Sequence, residues 1–394
     1  MKIAPRMPIG VSRLLRNRLP MPDGVVSTSI AAKGQRGLAL RGTVWTGGDA
    51  APFDGFVLID ATGTVQKIAP VTEALPPAVP VMGQVGAWIG PGIVDSHVHL
   101  SFAHPSEQLA AGVVGVRDLG APPGFSKQWR TFARRSGMAL GVCGPILTVA
   151  GGYPTRSWGA DGYGQPIFDV AHAAVMVADL VADGADVIKI ALETGPGWPT
   201  LAPPVAQAIV RAAHERGVAV VAHALTSHMV DRALRCGVDE LAHVPTEALT
   251  AAQIEAIAEA GIRVSSTLQT FFSDGIGRPA LQNATAMVEA GVPLMYGTDI
   301  GNVGTKPGVD PRELDRLAQA GLGRWGALRA ATEGAAAAAG MRGVSGRIVV
   351  GEPAACVLLP VDPIAEPGSW RAIVAVVVGE RIIVTTKVDT IGPS

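Results

Sequence analysis

Cysteine is scarce in this chain of 394 residues: Cys143, Cys236 and Cys356 stand far apart and are odd in number. That excludes a disulfide framework and a cysteine-built zinc site, and leaves the thiols as small buried hydrophobes. Charge is sparse too, at 16% of residues against 48% hydrophobic, with a formal net charge of −1. Much of the chain must therefore be buried. No basic block is long enough to follow a phosphate backbone, which argues against a nucleic-acid partner. No run reaches the roughly 18 apolar residues of a membrane span. Residues 1–30 carry Arg6, Arg13, Arg16 and Arg18 but lack the apolar core of a signal peptide. The expectation is a cytoplasmic protein with no membrane partner, in which residues 1–36 form a poorly ordered extension. A homo-oligomer is compatible with this reading.

What is present starts at Gly92-Ile93-Val94-Asp95-Ser96-His97-Val98-His99, an apolar run ending in two histidines. A strand has a side-chain period of two, so His97 and His99 share a face. Two imidazoles on one face suit a first-row metal, although a His-x-His pair alone also occurs on ordinary surfaces. Around this stretch, short apolar runs alternate with helical patterns. Strands are predicted at 93–98, 113–118, 145–150, 187–191, 218–222, 239–242, 262–267 and 294–298. Helices 170–183, 203–216, 227–236 and 251–260 each stop at a glycine.

Eight such runs in roughly 240 residues match the length of a (β/α)8 TIM-like barrel. An open doubly wound sheet is disfavoured, because its first strand would lead into a glycine-rich phosphate loop rather than histidines. The barrel is assigned residues 91–343. Short strands at Leu38–Val44, Gly55–Asp60 and Val65–Ile68, with others expected at Gly346–Val350, Ala355–Leu359 and Ala372–Val384, predict a small β-sandwich domain built from both termini, residues 37–90 and 344–390.

In such barrels the chemistry sits where strands end. Lys189 lies in the fourth run, His223 ends the fifth, His243 the sixth and Asp299 the eighth. Four of only eight histidines thus fall at strand ends. Each has a plain structural reading: His223 or His243 as a hydrogen-bonded core histidine, Lys189 as an ion-pair partner of Asp299 or Glu193, and Asp299 as a turn or helix cap. Their joint placement favours metal ligation.

These residues resemble the amidohydrolase superfamily. The motifs are residues 92–99, Gly-Val-Arg-Asp-Leu-Gly at 115–120, Gly-Ala-Asp-Val-Ile-Lys-Ile at 184–190, Ala-His-Ala at 222–224, Ala-His-Val at 242–244 and Tyr-Gly-Thr-Asp at 296–299. Within the superfamily the chain is most similar to imidazolonepropionase-related and prolidase-like members. The lysine of the fourth strand points to the two-metal branch. The resemblance implies that His97, His99 and Asp299 hold one divalent ion and His223 and His243 a second. A carbon dioxide-derived carbamate on Lys189 would bridge the two ions; zinc is expected, with manganese or iron as alternatives. Three departures stand out: Ala242-His243 where the family has Glu-His, Gly151-Gly152-Tyr153 where it has Gly-Gly-His, and Ala354-Ala355 where it has Ala-Asp.

The implied activity is hydrolysis of a C–N bond in an amide, lactam or dipeptide-like small molecule. Two ions would bring a bridging water towards a pKa of about 7, and Asp299 would act as general acid and base. A lyase, decarboxylase or cyclase on the same site, or a non-catalytic assembly protein, are the rival readings. Tyr153, Arg156, Trp198 and His228 are the candidate substrate contacts, Arg156 as a bidentate partner for a carboxylate.

Overall fold

The computed structural model describes residues 21–31, 37–193, 197–302 and 304–385. It is a mixed α/β structure rich in parallel strands. One parallel sheet runs Ile93–Val98, Val113–Asp118, Ala139–Val142. A second, also parallel, runs Gly164–Pro166, Ile146–Thr148, Val187–Ala191, Ala219–His223, Glu240–Leu241, Arg263–Ser265, Leu294–Met295. The two sheets touch at both flanks. Ser96 N donates to Tyr296 O at 3.0 Å, and Val98 forms a parallel bridge with Ile300. On the other side, Asp186 N donates to Val142 O at 2.8 Å.

The local sequence explains these elements. Ile93–Val98, Val113–Asp118 and Val187–Ala191 are buried along their whole length, as strands covered on both faces must be. Helices Val170–Ala182, Pro203–His214, Ser227–Cys236 and Ala251–Glu259 follow the predicted pattern. Among the described residues no helix is long and apolar enough to cross a membrane.

Strands from both ends of the chain share one nine-stranded sheet. Its order is Val25–Ser29, Arg381–Thr385, Ala375–Val378, Ala355–Leu359, Trp88–Pro91, Gly37–Val44, Phe53–Asp60, Val65–Pro70, with Val81–Met82 beside Gly37–Val44. Alternate side chains Leu38, Leu40, Val57 and Ile59 join Ile89, Cys356, Leu358 and Val377 in one apolar cluster.

Three expectations are corrected. Val25–Ser29, assigned to the N-terminal extension, is an edge strand antiparallel to Arg381–Thr385, its β-branched and hydroxyl residues suiting a half-exposed edge. The rest of that expectation, over residues 1–20 and 32–36, lies outside the described residues. Residues 346–350 are not a strand. Gly346 has φ +69°, and a Cβ there would lie 2.3 Å from Glu333 N, so the chain turns at this close crossing. The strand list also lacked a member: the run at 145–150 holds Ile146–Thr148, and an unexpected strand, Ala139–Val142, precedes it, separated from it by Gly144 at φ +73°.

Candidate metal centre

Strand ends bring His97, His99, His223, His243 and Asp299 to one pocket with Lys189 from the middle of Val187–Ala191, together with Phe102, Ile146, Tyr153, Trp158, Gly301 and Asn302. The ligand-type nitrogen and oxygen atoms of His97, His99 and Asp299 lie within 4.8 Å of one another. Asp299 Oδ1 is 3.5 Å from His97 Nε2 and 3.3 Å from His99 Nε2, and its Oδ2 is 3.9 Å from His243 Nδ1. The imidazoles of His223 and His243 have centroids 4.8 Å apart.

Backbone carbonyls orient two of the rings. His97 Nδ1 donates to Ala242 O at 2.7 Å, and His99 Nδ1 donates to Gly120 O at 3.2 Å. A carbonyl can only accept, so each ring points its Nδ1–H at the backbone and turns Nε2 into the site. Gly120 has no room for a side chain, since a Cβ would come within 2.9 Å of His99 Cε1. His243 Nδ1 is 2.9 Å from Thr267 Oγ1, on a buried threonine held at φ +45°. A β-branched residue in that region is strained and must be held by its surroundings. Glu313 does so: its carboxyl accepts from Ser266 Oγ, from Leu268 N at 3.0 Å and from Gln269 N at 2.6 Å.

Asp95 ties the first strand to the segment bearing Asp299. It accepts from His97 N at 3.1 Å, Thr298 N at 3.1 Å and Thr298 Oγ1 at 2.5 Å. Asp299 N in turn donates to His97 O at 2.8 Å. Deeper between the strands, Arg117 makes a two-pronged ion pair with Glu240, one bond being Nη1 to Oε2 at 2.9 Å, and donates from Nε to Ser96 O at 2.9 Å. This network holds the carbonyl just before His97.

Burial sets the electrostatics. It is the main reason His97, His223 and His243 sit well below the ordinary imidazole value, with the Lys189 charge adding to the effect, so all three are neutral near pH 7 and able to ligate. Burial likewise lowers the Lys189 ammonium to about 8. Three hydrogen-bonding atoms in the centre, His97 Nε2 and both carboxylate oxygens of Asp299, are buried with no hydrogen-bond partner. Buried polar atoms of this kind cost free energy unless something binds them. A nitrogen lone pair beside two anionic oxygens is a donor set that fits a divalent cation.

The candidate substrate contacts separate. Tyr153 lines the pocket, its ring stacked on His223 at 4.5 Å and its hydroxyl accepting from Trp158 Nε1 at 3.0 Å. Trp198 stacks behind Tyr153 at 5.8 Å. Arg156 is exposed and donates to Gly197 O at 3.3 Å, and His228 is exposed on its helix; neither lines the pocket. The guanidinium of Arg156 instead lies over Gly151 and against Gly197. Sequence reading missed Phe102 and Asn302 in the wall and Asp95 and Glu313 behind it. Asp95 stood inside the His97 motif, where an acidic residue amid apolar neighbours was the available signal; Glu313 carried none.

The chain belongs to the amidohydrolase family, whose pattern it matches over residues 88–389. Comparison with curated protein sequences gave no match. Among solved structures it is similar to a prolidase complexed with N-methylphosphonate-L-proline, at 21% identity and TM-score 0.73, covering 89% of this chain and 100% of that one. A Xaa-Pro dipeptidase with bound methionine gives 19% identity and TM-score 0.74, covering 86% and 98%. The A. niger ochratoxinase gives 18% identity and TM-score 0.70, covering 88% and 95%. These likenesses establish the shared fold, and membership of the family makes the protein a hydrolase.

Proposed function

We propose that this protein is a two-metal amidohydrolase that cleaves an amide-type C–N bond of a small molecule. The observation that carries the proposal is the partnerless set of His97 Nε2 and both Asp299 oxygens, buried where His99 and His243 also converge. His97, His99 and Asp299 would hold one ion and His223 and His243 the other, with zinc the expected metal. Metal ions in such a site supply a water of lowered pKa and polarise the scissile carbonyl. The contacts at both flanks of the two parallel sheets support a closed (β/α)8 barrel around this centre. The nine-stranded sheet supports a small β-domain contributed by both termini.

The chain's own residues divide the work. Asp299 accepts a proton from the attacking water and returns it to the leaving nitrogen as the C–N bond breaks, so the products are an acid and an amine. Carbonyl contacts to His97 and His99 keep their Nε2 lone pairs inward. Lys189, with its pKa brought down to about 8 by burial, has an accessible neutral amine at neutral pH. That amine can add carbon dioxide and release a proton, and the resulting carbamate gives two anionic oxygens between the histidine pairs. The activities named for the prolidase, the Xaa-Pro dipeptidase and the ochratoxinase support C–N hydrolysis on this fold. Metal analysis after reconstitution with zinc or manganese and bicarbonate tests the reading. Two divalent ions per chain are expected, with turnover in a screen of dipeptides, N-acyl amino acids, anilides and lactams. Well under one ion per chain would overturn it.

A further inference from the structure

The wall facing the metal-ligand set is aromatic. Phe102, Tyr153 and Trp158 line the pocket with Ile146. Trp158 lies edge-on to His99 at 4.9 Å, and Phe102 and Trp158 are 6.1 Å apart. Behind them Tyr163 stacks on Phe102 at 5.6 Å and meets Trp158 at 5.4 Å, while Trp198 backs Tyr153. In a chain with only 5% aromatic residues this is a strong local concentration. Such ring faces and edges recognise flat apolar groups.

Charge recognition is absent from the same wall. Among the described residues lining the pocket there is no arginine, and the one lysine is Lys189, which the hydrolase reading assigns to the metal pair. Apart from the metal ligands and Tyr153, the polar liner is Asn302, and its Nδ2 donates to Asp299 O at 2.8 Å. The guanidinium that could have met a carboxylate, Arg156, is turned out to Gly197 O. A substrate carboxylate brought in beside these rings would find no side-chain cation to meet it, and a metal ion that it reached would be one the scissile carbonyl needs. A substrate cation could use the ring faces, but it would then sit beside bound dications.

Resting on the hydrolase reading, we propose that the substrate is a neutral amide, anilide or carbamoyl compound whose nitrogen or acyl side carries an aromatic group, and not a peptide with a free carboxylate. Phe102 and Trp158 grip the flat group while the C–N bond lies over the metal ligands.

The test is a matched pair of probes on metal-loaded enzyme. N-acetyl-L-phenylalanine amide and N-acetyl-L-phenylalanine differ by one charge, and N-acetyl-L-alanine amide removes the ring. The neutral aromatic probe is expected to exceed the carboxylate at least 100-fold in kcat/KM and the alanine probe at least tenfold. A binding readout runs beside it: acetanilide should raise the Tm of the wild type and not that of Trp158→Ala, with both proteins holding equal metal. Equal or faster turnover of the carboxylate, turnover confined to aliphatic lactams, or an undiminished Tm shift in Trp158→Ala overturns the substrate class and leaves the hydrolase reading standing. Loss of all amide turnover in protein that holds two ions overturns the hydrolase reading itself.

Discussion

Glu313 offers a direct test of how the centre is supported. Its carboxyl is only 1% exposed, and burial raises its pKa from 4.5 to about 7 despite the hydrogen bonds from Ser266, Leu268 and Gln269. Below about 4.5 the group is protonated in both folded and unfolded chains, and its contribution to stability is fully present. Between 4.5 and about 7 the unfolded chain releases its proton while the folded chain keeps it, so stability falls as pH rises. Above the folded value both states are ionised and the loss is complete. At about 1.4 kcal/mol per pKa unit, the loss comes to roughly 3 kcal/mol. Glu313→Gln keeps the shape and one of the two acceptor oxygens, at a cost in hydrogen bonding that does not vary with pH, and cannot ionise. Urea unfolding of wild type and variant, both stripped of metal, at pH 4.5, 6 and 8 isolates this group, because other buried carboxyls cancel in the difference. The variant is expected to gain roughly 3 kcal/mol on the wild type between pH 4.5 and pH 8. Curves that stay parallel to within about 1 kcal/mol would show that Glu313 does not hold its proton in the fold.

Other consequences are open to measurement. Asp299→Asn should lower kcat on a confirmed substrate by far more than tenfold, which is about 1.4 kcal/mol of barrier, with circular dichroism unchanged; retention within tenfold refutes its acid–base role. His97→Ala and His243→Ala should each reduce bound metal measured by inductively coupled plasma analysis, whereas His228→Ala, at an exposed position of its helix, should leave it at the wild-type level. Removing one partner of the buried Arg117–Glu240 pair with Glu240→Leu should cost about 3–5 kcal/mol, while the double variant Arg117→Met/Glu240→Leu should recover most of that loss. A double-mutant cycle in urea that shows additive costs would argue against a coupled pair.

Legibility from sequence followed distance along the chain. Side-chain alternation in a strand is local geometry, so the shared face of His97 and His99, the glycine stops of the helices, the strand-end placement of His223 and His243 and the place of Lys189 within the fourth run could be read from spacing alone. The alternating apolar runs likewise carried the α/β class. The strand Ala139–Val142 was missed because its short apolar stretch stops at a left-handed glycine, Gly144, just before the third run. The expected strand at 346–350 failed because of a crossing against residues distant in sequence.

Tertiary structure alone decided how loops and supports are disposed. Arg156 is exposed and Trp158 packs on the metal ligand His99 although only one residue separates them, because loop side chains are aimed by what they pack against rather than by any period. Glu313 reaches Ser266 across 47 positions of sequence, and Arg117 reaches Glu240 across 123. Such partners are chosen by folding. A buried charge must find whatever donors the assembled strands and helices place beside it, and no local pattern encodes which those will be.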